Sequence, residues 1–332
     1  RSVTVRRGVE EYLSGATEVR YERGCETVDP DWPDSEVIRM PLSDNEKKSI
    51  DAAVAVARES DVVVAVLGED AKTCGESRSR TSLELPGRQQ DILDRLLATG
   101  RPVVVVLVNG RPLTVNDADR RAAAILETWF PGCRGGRAVA RVLFGETNPS
   151  GKLTVTFPRS VGQLEYNFPY KKGSHGRQSK WIRDPNGFGH TRVEGSLYPF
   201  GHGLSYTTFD YSALIVEEVE DGVRIACDVK NTGLREGAEV VQLYVSDIFS
   251  SVVTYESVLR GFEKVTLKPG EHRRVVFDVK RDELRIVGPR MTWVFEPGEF
   301  EFRLGASSED IRLRKRIHVG ELRGQEPESK VF

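Results

Sequence analysis

The chain has 332 residues, a formal net charge of −2 and four cysteines. This length accommodates two domains with sizeable hydrophobic cores. The nearly balanced charge gives no reason to expect a nucleic acid or a membrane surface as a partner. No apolar run approaches the roughly 18 residues of a membrane span, so no segment is predicted to cross a bilayer.

The cysteines and histidines form no recognisable disulfide or metal pattern. The cysteines are widely spaced and include no C-x-x-C pair: Cys25, Cys74, Cys133 and Cys227. Three histidines in the central part of the chain match no metal-binding spacing: His175, His190 and His202. The sequence therefore predicts neither a disulfide scaffold nor a metal site. The cysteines do not indicate whether the protein works in a reducing or an oxidising compartment.

The chain opens on a predicted helix rather than a strand. Ser2–Ser14 has apolar residues at helical spacing, and Glu18–Tyr21 is predicted as a short strand. An α/β domain that starts on a helix is unusual, and Arg1 is not an initiator methionine. We therefore expect the chain to be a segment of a larger polypeptide.

An alternation of helices and strands begins at a capping box. Ser43–Glu46 has the pattern S-x-x-E and predicts the start of a helix that reaches about Arg58. The continuous apolar run Val62–Leu67 follows, as in a parallel strand with both faces covered.

The alternation continues to about residue 144. Pro86 suits the first turn of a second helix, and Val103–Val108 is a second apolar strand. A third strand is predicted at Ala122–Thr128, and a third helix follows the turn Gly132–Gly136. This order predicts an α/β domain, a mostly parallel sheet with helices on both faces.

From residue 209 onward the apolar residues alternate with period two. Strands are predicted at Val223–Val229, Val240–Val245, Arg273–Val279 and Glu299–Leu304. Short strands at this spacing indicate an antiparallel β-sandwich with almost no helix. We thus divide the chain into an α/β domain (1–158), an extended connector that wraps over it (159–208), a sandwich (209–320) and a tail (321–332).

A polar loop follows the strand Val62–Leu67. It carries Glu69, Asp70, Glu76 and Arg80. Ligands of open α/β sheets bind beside the carboxyl ends of the strands, where this loop is expected to lie. On position alone, however, each of these residues is more often a solvated surface group.

Two other chemistries find less support in the residues. The turn Gly132–Gly136 could cradle a phosphate at a helix start, but it lacks both glycine spacings of nucleotide-binding loops. Close helix packing explains it better, and a nucleotide-binding protein is disfavoured. Cys74 could be a nucleophile only beside a histidine that no sequence signature supplies.

Nine short motifs, spread in order over essentially the whole chain, are specific enough to compare with known families. They are G-E-D (68–70), C-G-E-S-R-S-R (74–80), L-E-L-P-G-R-Q-Q-D-I-L (83–93), V-N-G-R-P-L (108–113), W-F-P-G (129–132), G-E-T-N-P-S-G-K-L (145–153), Y-P-F-G-H-G-L-S-Y-T-T-F (198–209), V-K-N-T-G (229–233) and L-R-G-F (259–262). Together they resemble the C-terminal half of glycoside hydrolase family 3, which includes bacterial β-glucosidases and β-xylosidases. The last two motifs resemble the family's fibronectin type III-like domain.

This resemblance implies a retaining β-glycosidase, most simply an exo-acting β-glucosidase. Its substrates would be small β-linked oligosaccharides or aryl and alkyl glycosides. The loop match makes Glu76 the general acid/base, and Glu69, Asp70 and Arg80 candidates for lining the substrate cleft or tuning Glu76. The resemblance implies no metal and no organic cofactor.

In such enzymes the nucleophilic aspartate lies on a TIM barrel, which this chain does not contain. The barrel domain is therefore an expected partner, and the chain alone is expected to be inactive. The long connector is compatible with a homodimer, and relatives of this kind favour a periplasmic or secreted location over a cytoplasmic one. The alternative function is a non-catalytic carbohydrate-binding or scaffold module that keeps the fold without the reaction.

Overall fold

The computed structural model describes residues 2–163, 165–173, 195–320 and 329–330. Within these, one compact unit comprises 2–147 with 157–163, and a second comprises 148–156 with the remainder. His175, His190, part of the predicted connector and most of the predicted tail lie outside the described residues.

The first unit contains a three-stranded parallel sheet. Its strands are β1 (Val63–Gly68), β2 (Val103–Val108) and β3 (Ala124–Glu127), in the order β1-β2-β3. The register pairs Gly68 with Val108, so the ends of β1 and β2 lie at the same level. The predicted parallel sheet is confirmed, with bounds close to the expected ones.

Helices connect and flank these strands. The capping box is present: the Ser43 hydroxyl accepts from the Glu46 amide, and the Glu46 carboxylate accepts from the Ser43 amide. The prediction of a helix starting there is confirmed. The helices are α1 (Val5–Leu13), α2 (Asp44–Arg58), α3 (Gln89–Leu97), α4 (Asn116–Arg121) and α5 (Gly135–Leu143).

Three local expectations differ from the structure. Glu18–Tyr21 is not a strand, because it pairs with no strand of the described chain. Helix α4 was not predicted, since its sequence NDADRR carries no apolar stripe. Both faces of β1 were expected to be covered, but Val64 and Val66 are 37% and 46% exposed. Among the described residues β1 is an edge strand of its sheet, and only its Ala65 and Leu67 face is buried.

Gln89 completes the outer edge of β1 at its carboxyl end. Its side-chain oxygen accepts from the Gly68 amide at 2.6 Å, and its Nε2 donates to the Gly68 carbonyl at 2.8 Å. Nε2 also donates to the Thr27 carbonyl at 3.1 Å. The buried Gln89 amide therefore takes the place of a neighbouring strand at the residue before Glu69.

The second unit contains an antiparallel sandwich, as predicted. Its strands are β4 (Phe209–Val219), β5 (Gly222–Asn231), β6 (Gly237–Asp247), β7 (Val258–Leu267), β8 (His272–Lys280), β9 (Ile286–Val287), β10 (Thr292–Val294), β11 (Gly298–Gly305), β12 (Ile311–Val319) and β13 (Ser329–Lys330). One sheet has the strand order β12-β11-β6-β7 and the other β4-β5-β8, and a small sheet has the order β13-β10-β9. Side chains such as Val229, Leu243 and Phe302 form a buried core.

Most of the described connector belongs to the second unit, and only residues 159–163 belong to the first. Phe168 stacks on Phe200 and meets Tyr244 of β6 edge-on, with ring centroids 4.8 and 5.5 Å apart. Gln242 Nε2 donates to the carbonyls of Gly201 and Ala306. The described connector residues after 164 thus pack within the second unit.

No helix among the described residues combines the length and the apolarity that crossing a bilayer requires.

Replacing Gln89 should destabilise the first unit. Gln89→Leu would leave the Gly68 amide and carbonyl buried without partners, and we expect a loss of about 2–3 kcal/mol in the free energy of unfolding. The matched control is Gln90→Leu, because the neighbouring Gln90 bonds only Asp94 near the surface. It should change stability by less than about 0.5 kcal/mol.

Urea unfolding would measure both variants, and amide hydrogen exchange in a peptide spanning Gly68 would locate the effect. Equal losses in both variants would assign the effect to helix α3 instead of the strand edge.

Candidate active site

Polar residues follow directly on the ends of the three parallel strands. Glu69 comes after β1, Asn109 after β2, and Thr128 after β3. Parallel strands bring their carboxyl ends to one edge of the sheet, where ligands of α/β proteins bind. The loop predicted to be functional, residues 69–80, thus begins at this edge.

The first leg of the loop is folded by Asp70. Its carbonyl accepts from the amides of Thr73 and Cys74 at 3.1 and 2.9 Å, and its carboxylate accepts from the Lys72 amide at 2.8 Å. Cys74 then rests on Gly110, where an added Cβ would lie 2.2 Å from the cysteine sulfur. Asp70 is therefore a turn-forming residue whose carboxylate is used locally.

Glu76 lies at the tip of the loop. The Arg78 amide donates to the Gly75 carbonyl at 3.1 Å, so Glu76 and Ser77 occupy the centre of a tight turn. Gly75 and Ser77 have φ angles of 146° and 58°. Glu76 is exposed, and its carboxylate has no hydrogen-bond or ion-pair partner within the part of the chain that the structure describes.

A buried group of charged side chains lies beneath the loop. The Glu69 side chain is 0% exposed and pairs with Arg80 at 3.3 Å and with Arg111 at 3.1 Å. Its second oxygen accepts from the Gly110 amide at 3.2 Å. Arg80 also bonds the buried Glu36 and lies over the Trp32 ring, 5.6 Å from its centroid.

A second carboxyl, half-buried, lies close by at the end of β3. Glu127 accepts from the Trp129 amide at 2.7 Å and from Asn109 Nδ2 at 3.2 Å. Burial raises the pKa of Glu127 to about 7, and the neighbouring Glu69 charge acts in the same direction. Part of the Glu127 population is thus protonated at neutral pH.

The structure brings the predicted residues together in one loop but in different environments. Glu76 is exposed, Asp70 is half-buried, and the side chains of Glu69 and Arg80 are enclosed. Sequence reasoning did not identify Arg111 or Glu127 as site residues. Arg111 follows β2 and Glu127 is the last residue of β3, and only Arg111 lies inside one of the family motifs.

The described residues include no group of three or more histidine, cysteine, aspartate or glutamate side chains arranged to hold a metal ion. The four cysteines are free thiols.

Two sequence families match the chain. Residues 2–206 match the model described as the glycosyl hydrolase family 3 C-terminal domain. Residues 239–308 match the fibronectin type III-like domain.

Individual relatives of the chain are named as β-glucosidases and β-xylosidases. A periplasmic β-glucosidase of Salmonella typhimurium is 40% identical over 330 residues, and a β-xylosidase of Formosa agariphila is 38% identical over 318. These alignments cover 94% of this chain but 42% and 41% of the relatives. The chain therefore spans about two fifths of the length of these relatives.

Solved structures share the fold. The β-glucosidase from Listeria innocua in complex with isofagomine superimposes with a TM-score of 0.83 at 31% identity. The match covers 97% of this chain and 43% of that one.

The pKa of Glu127 predicts a pH-dependent stability difference. A raised folded-state pKa means that the folded chain binds more protons than the unfolded chain, so wild-type stability falls as pH rises from about 4.5 to about 7. Glu127→Gln removes this titration. Relative to the wild type, the variant should gain about 2–3 kcal/mol of stability across that interval.

Urea denaturation at both ends of the interval would measure this gain. Glu84→Gln is the control, because Glu84 is exposed. If the free energies of unfolding of Glu127→Gln and the wild type differed by the same amount at all pH values, the raised pKa of Glu127 would be contradicted.

Proposed function

The chain belongs to glycosyl hydrolase family 3, and from this premise we propose that it supplies the general acid/base of a retaining β-glycosidase. The proposed acid/base is Glu76. The nucleophile would be an aspartate on a TIM-barrel domain that acts together with this chain.

The observation that carries the proposal is the placement of Glu76. Its carboxylate is exposed at the tip of a tight turn, at the edge of the sheet where ligands bind. The legs of its loop are anchored on a buried ion-pair group. A free carboxyl on a fixed turn has the properties that a proton donor to an incoming substrate requires.

In the first step of the proposed reaction, the Glu76 carboxylic acid donates its proton to the glycosidic oxygen. The barrel aspartate attacks the anomeric carbon as the carbon–oxygen bond breaks, and a covalent glycosyl-enzyme forms. Retaining enzymes hold the two carboxyl groups about 5–5.5 Å apart for this displacement.

In the second step, the Glu76 carboxylate takes a proton from a water molecule. The water oxygen attacks the anomeric carbon, the bond to the aspartate breaks, and the sugar leaves with its original configuration. Glu76 ends the cycle protonated, so one residue serves as acid and then as base.

The other predicted residues support the loop in this proposal. Glu69 and Arg80 are enclosed by protein, which favours a role in fixing the loop over direct contact with the sugar. Asp70 folds the first leg through its bonds to Lys72 and Thr73. None of these roles requires a metal or an organic cofactor.

The names of the relatives support a proposal for the substrate class. Proteins named β-glucosidase and β-xylosidase match the chain over 94% of its length, so we propose a terminal β-linked glucose or xylose as the sugar released. The similarity to a periplasmic β-glucosidase supports a location outside the cytoplasm.

The test of the proposal is Glu76→Ala in the enzyme assembled from this chain and its barrel domain. We expect turnover of a β-glucoside with a weakly acidic phenol to fall about 10²–10⁴-fold, because acid assistance is lost. With an activated phenol, added azide should restore turnover and yield a β-glycosyl azide, since azide attacks the glycosyl-enzyme without a base. Product identification by NMR would establish retention.

Glu84→Ala is the control, an exposed acid eight positions further along the chain. Full activity of Glu76→Ala would remove Glu76 from the mechanism. A different outcome is that the wild-type enzyme hydrolyses none of a panel of aryl β-glycosides. A carbohydrate-binding module without catalysis would then be the better explanation.

A further inference from the structure

Arg111 connects the sheet edge to both legs of the loop that carries Glu76. Its Nη2 donates to the Thr73 carbonyl at 2.7 Å and to the Arg78 carbonyl at 3.1 Å. These two carbonyls lie three residues before and two residues after Glu76. One guanidinium therefore binds the loop on either side of the turn.

The position of this guanidinium is fixed from below. Arg111 Nε pairs with Glu69 at 3.1 Å, and the Glu69 side chain is fully buried. Glu69 is held in turn by Arg80 and by the Gly110 amide. The Arg111 side chain is only 20% exposed, so most of its surface is covered by protein.

The chemistry of these contacts suits arginine alone. A planar guanidinium offers five donors in a fixed fork, and here it binds a carboxylate through Nε and two carbonyls through Nη2. A lysine ammonium is a single point of charge on a flexible stem and cannot hold all three acceptors in the same geometry.

We infer that Arg111 is a positioning residue for Glu76, an inference that rests on the proposed function of Glu76. Arg111 does not touch the reacting atoms. It holds the carbonyls of Thr73 and Arg78 at a set distance from the sheet, and thereby sets where the turn Gly75–Arg78 presents the Glu76 carboxyl.

Proton donation is sensitive to such placement. A general acid must lie within hydrogen-bond reach of the leaving oxygen, and a displacement of about 1 Å can reduce a rate about 100-fold. Losing Arg111 should therefore weaken acid assistance most where the leaving group needs it most, while binding of the sugar itself should change little.

The experiment compares Arg111→Ala and Arg111→Lys with the wild-type assembled enzyme on a series of aryl β-glucosides of graded phenol acidity. In Arg111→Ala, kcat/KM should fall about 10- to 100-fold for the least acidic phenol and only a few-fold for the most acidic one. The dependence of rate on leaving-group acidity should therefore become steeper.

Arg111→Lys keeps a cation beside Glu69, so it provides a second test if the alanine variant fails to fold. It should show an intermediate steepening. Guanidinium ion at millimolar concentration should partly restore Arg111→Ala but not Arg111→Lys, in which the site is filled. Arg120→Ala, an exposed arginine on α4, is the charge-matched control and should leave the series unchanged.

A role limited to general stability would lower all substrates by one factor and leave the slope unaltered. That result, beside a steep slope in Glu76→Ala measured in parallel, would overturn the inference about Arg111 alone. If Glu76→Ala and Arg111→Ala both kept the wild-type dependence of rate on leaving-group acidity, the proposed function of Glu76 would be overturned instead.

Discussion

The candidate site depends on the burial of one carboxylate, that of Glu69. Removing a charge from water costs several kcal/mol unless opposite charges and hydrogen-bond donors replace the lost hydration. Arg80, Arg111 and the Gly110 amide provide that replacement. Because these donors come from the end of the loop and from the segment after β2, solvating Glu69 within the protein also joins these segments.

The parallel sheet brings together the residues that follow β1 and β2. The pairing of Gly68 with Val108 brings Glu69 and Asn109 out of the sheet side by side. Gln89 satisfies the Gly68 backbone on the open side, so β1 keeps its strand geometry up to the last residue before Glu69. The loop that carries Glu76 therefore starts directly from the parallel sheet of the first unit.

Local patterns predicted the elements that are encoded locally. The apolar runs located β1 and β2, the S-x-x-E box located α2, and period-two alternation located the sandwich strands. Features that depend on distant partners were missed or wrong: the polar helix α4, the open face of β1 and the strand expected at Glu18–Tyr21. Glu76 was identified only through its motif, and Arg111 and Glu127 gained significance only when the fold placed them beside the loop.

Two carboxyls near the sheet edge illustrate how the chain divides its tasks. Glu127 is half-buried and bonded to the Trp129 amide and Asn109 Nδ2, and burial raises its pKa to about 7. Glu76 is turned outward on a turn that other residues hold. In a retaining mechanism the acid must face a second carboxylate whose charge disappears when the glycosyl-enzyme forms. In the proposed enzyme that charge would come from the barrel aspartate, so the contribution of this chain is the position of the Glu76 carboxyl, and the buried contacts of Glu69 and Arg111 are the means of fixing it.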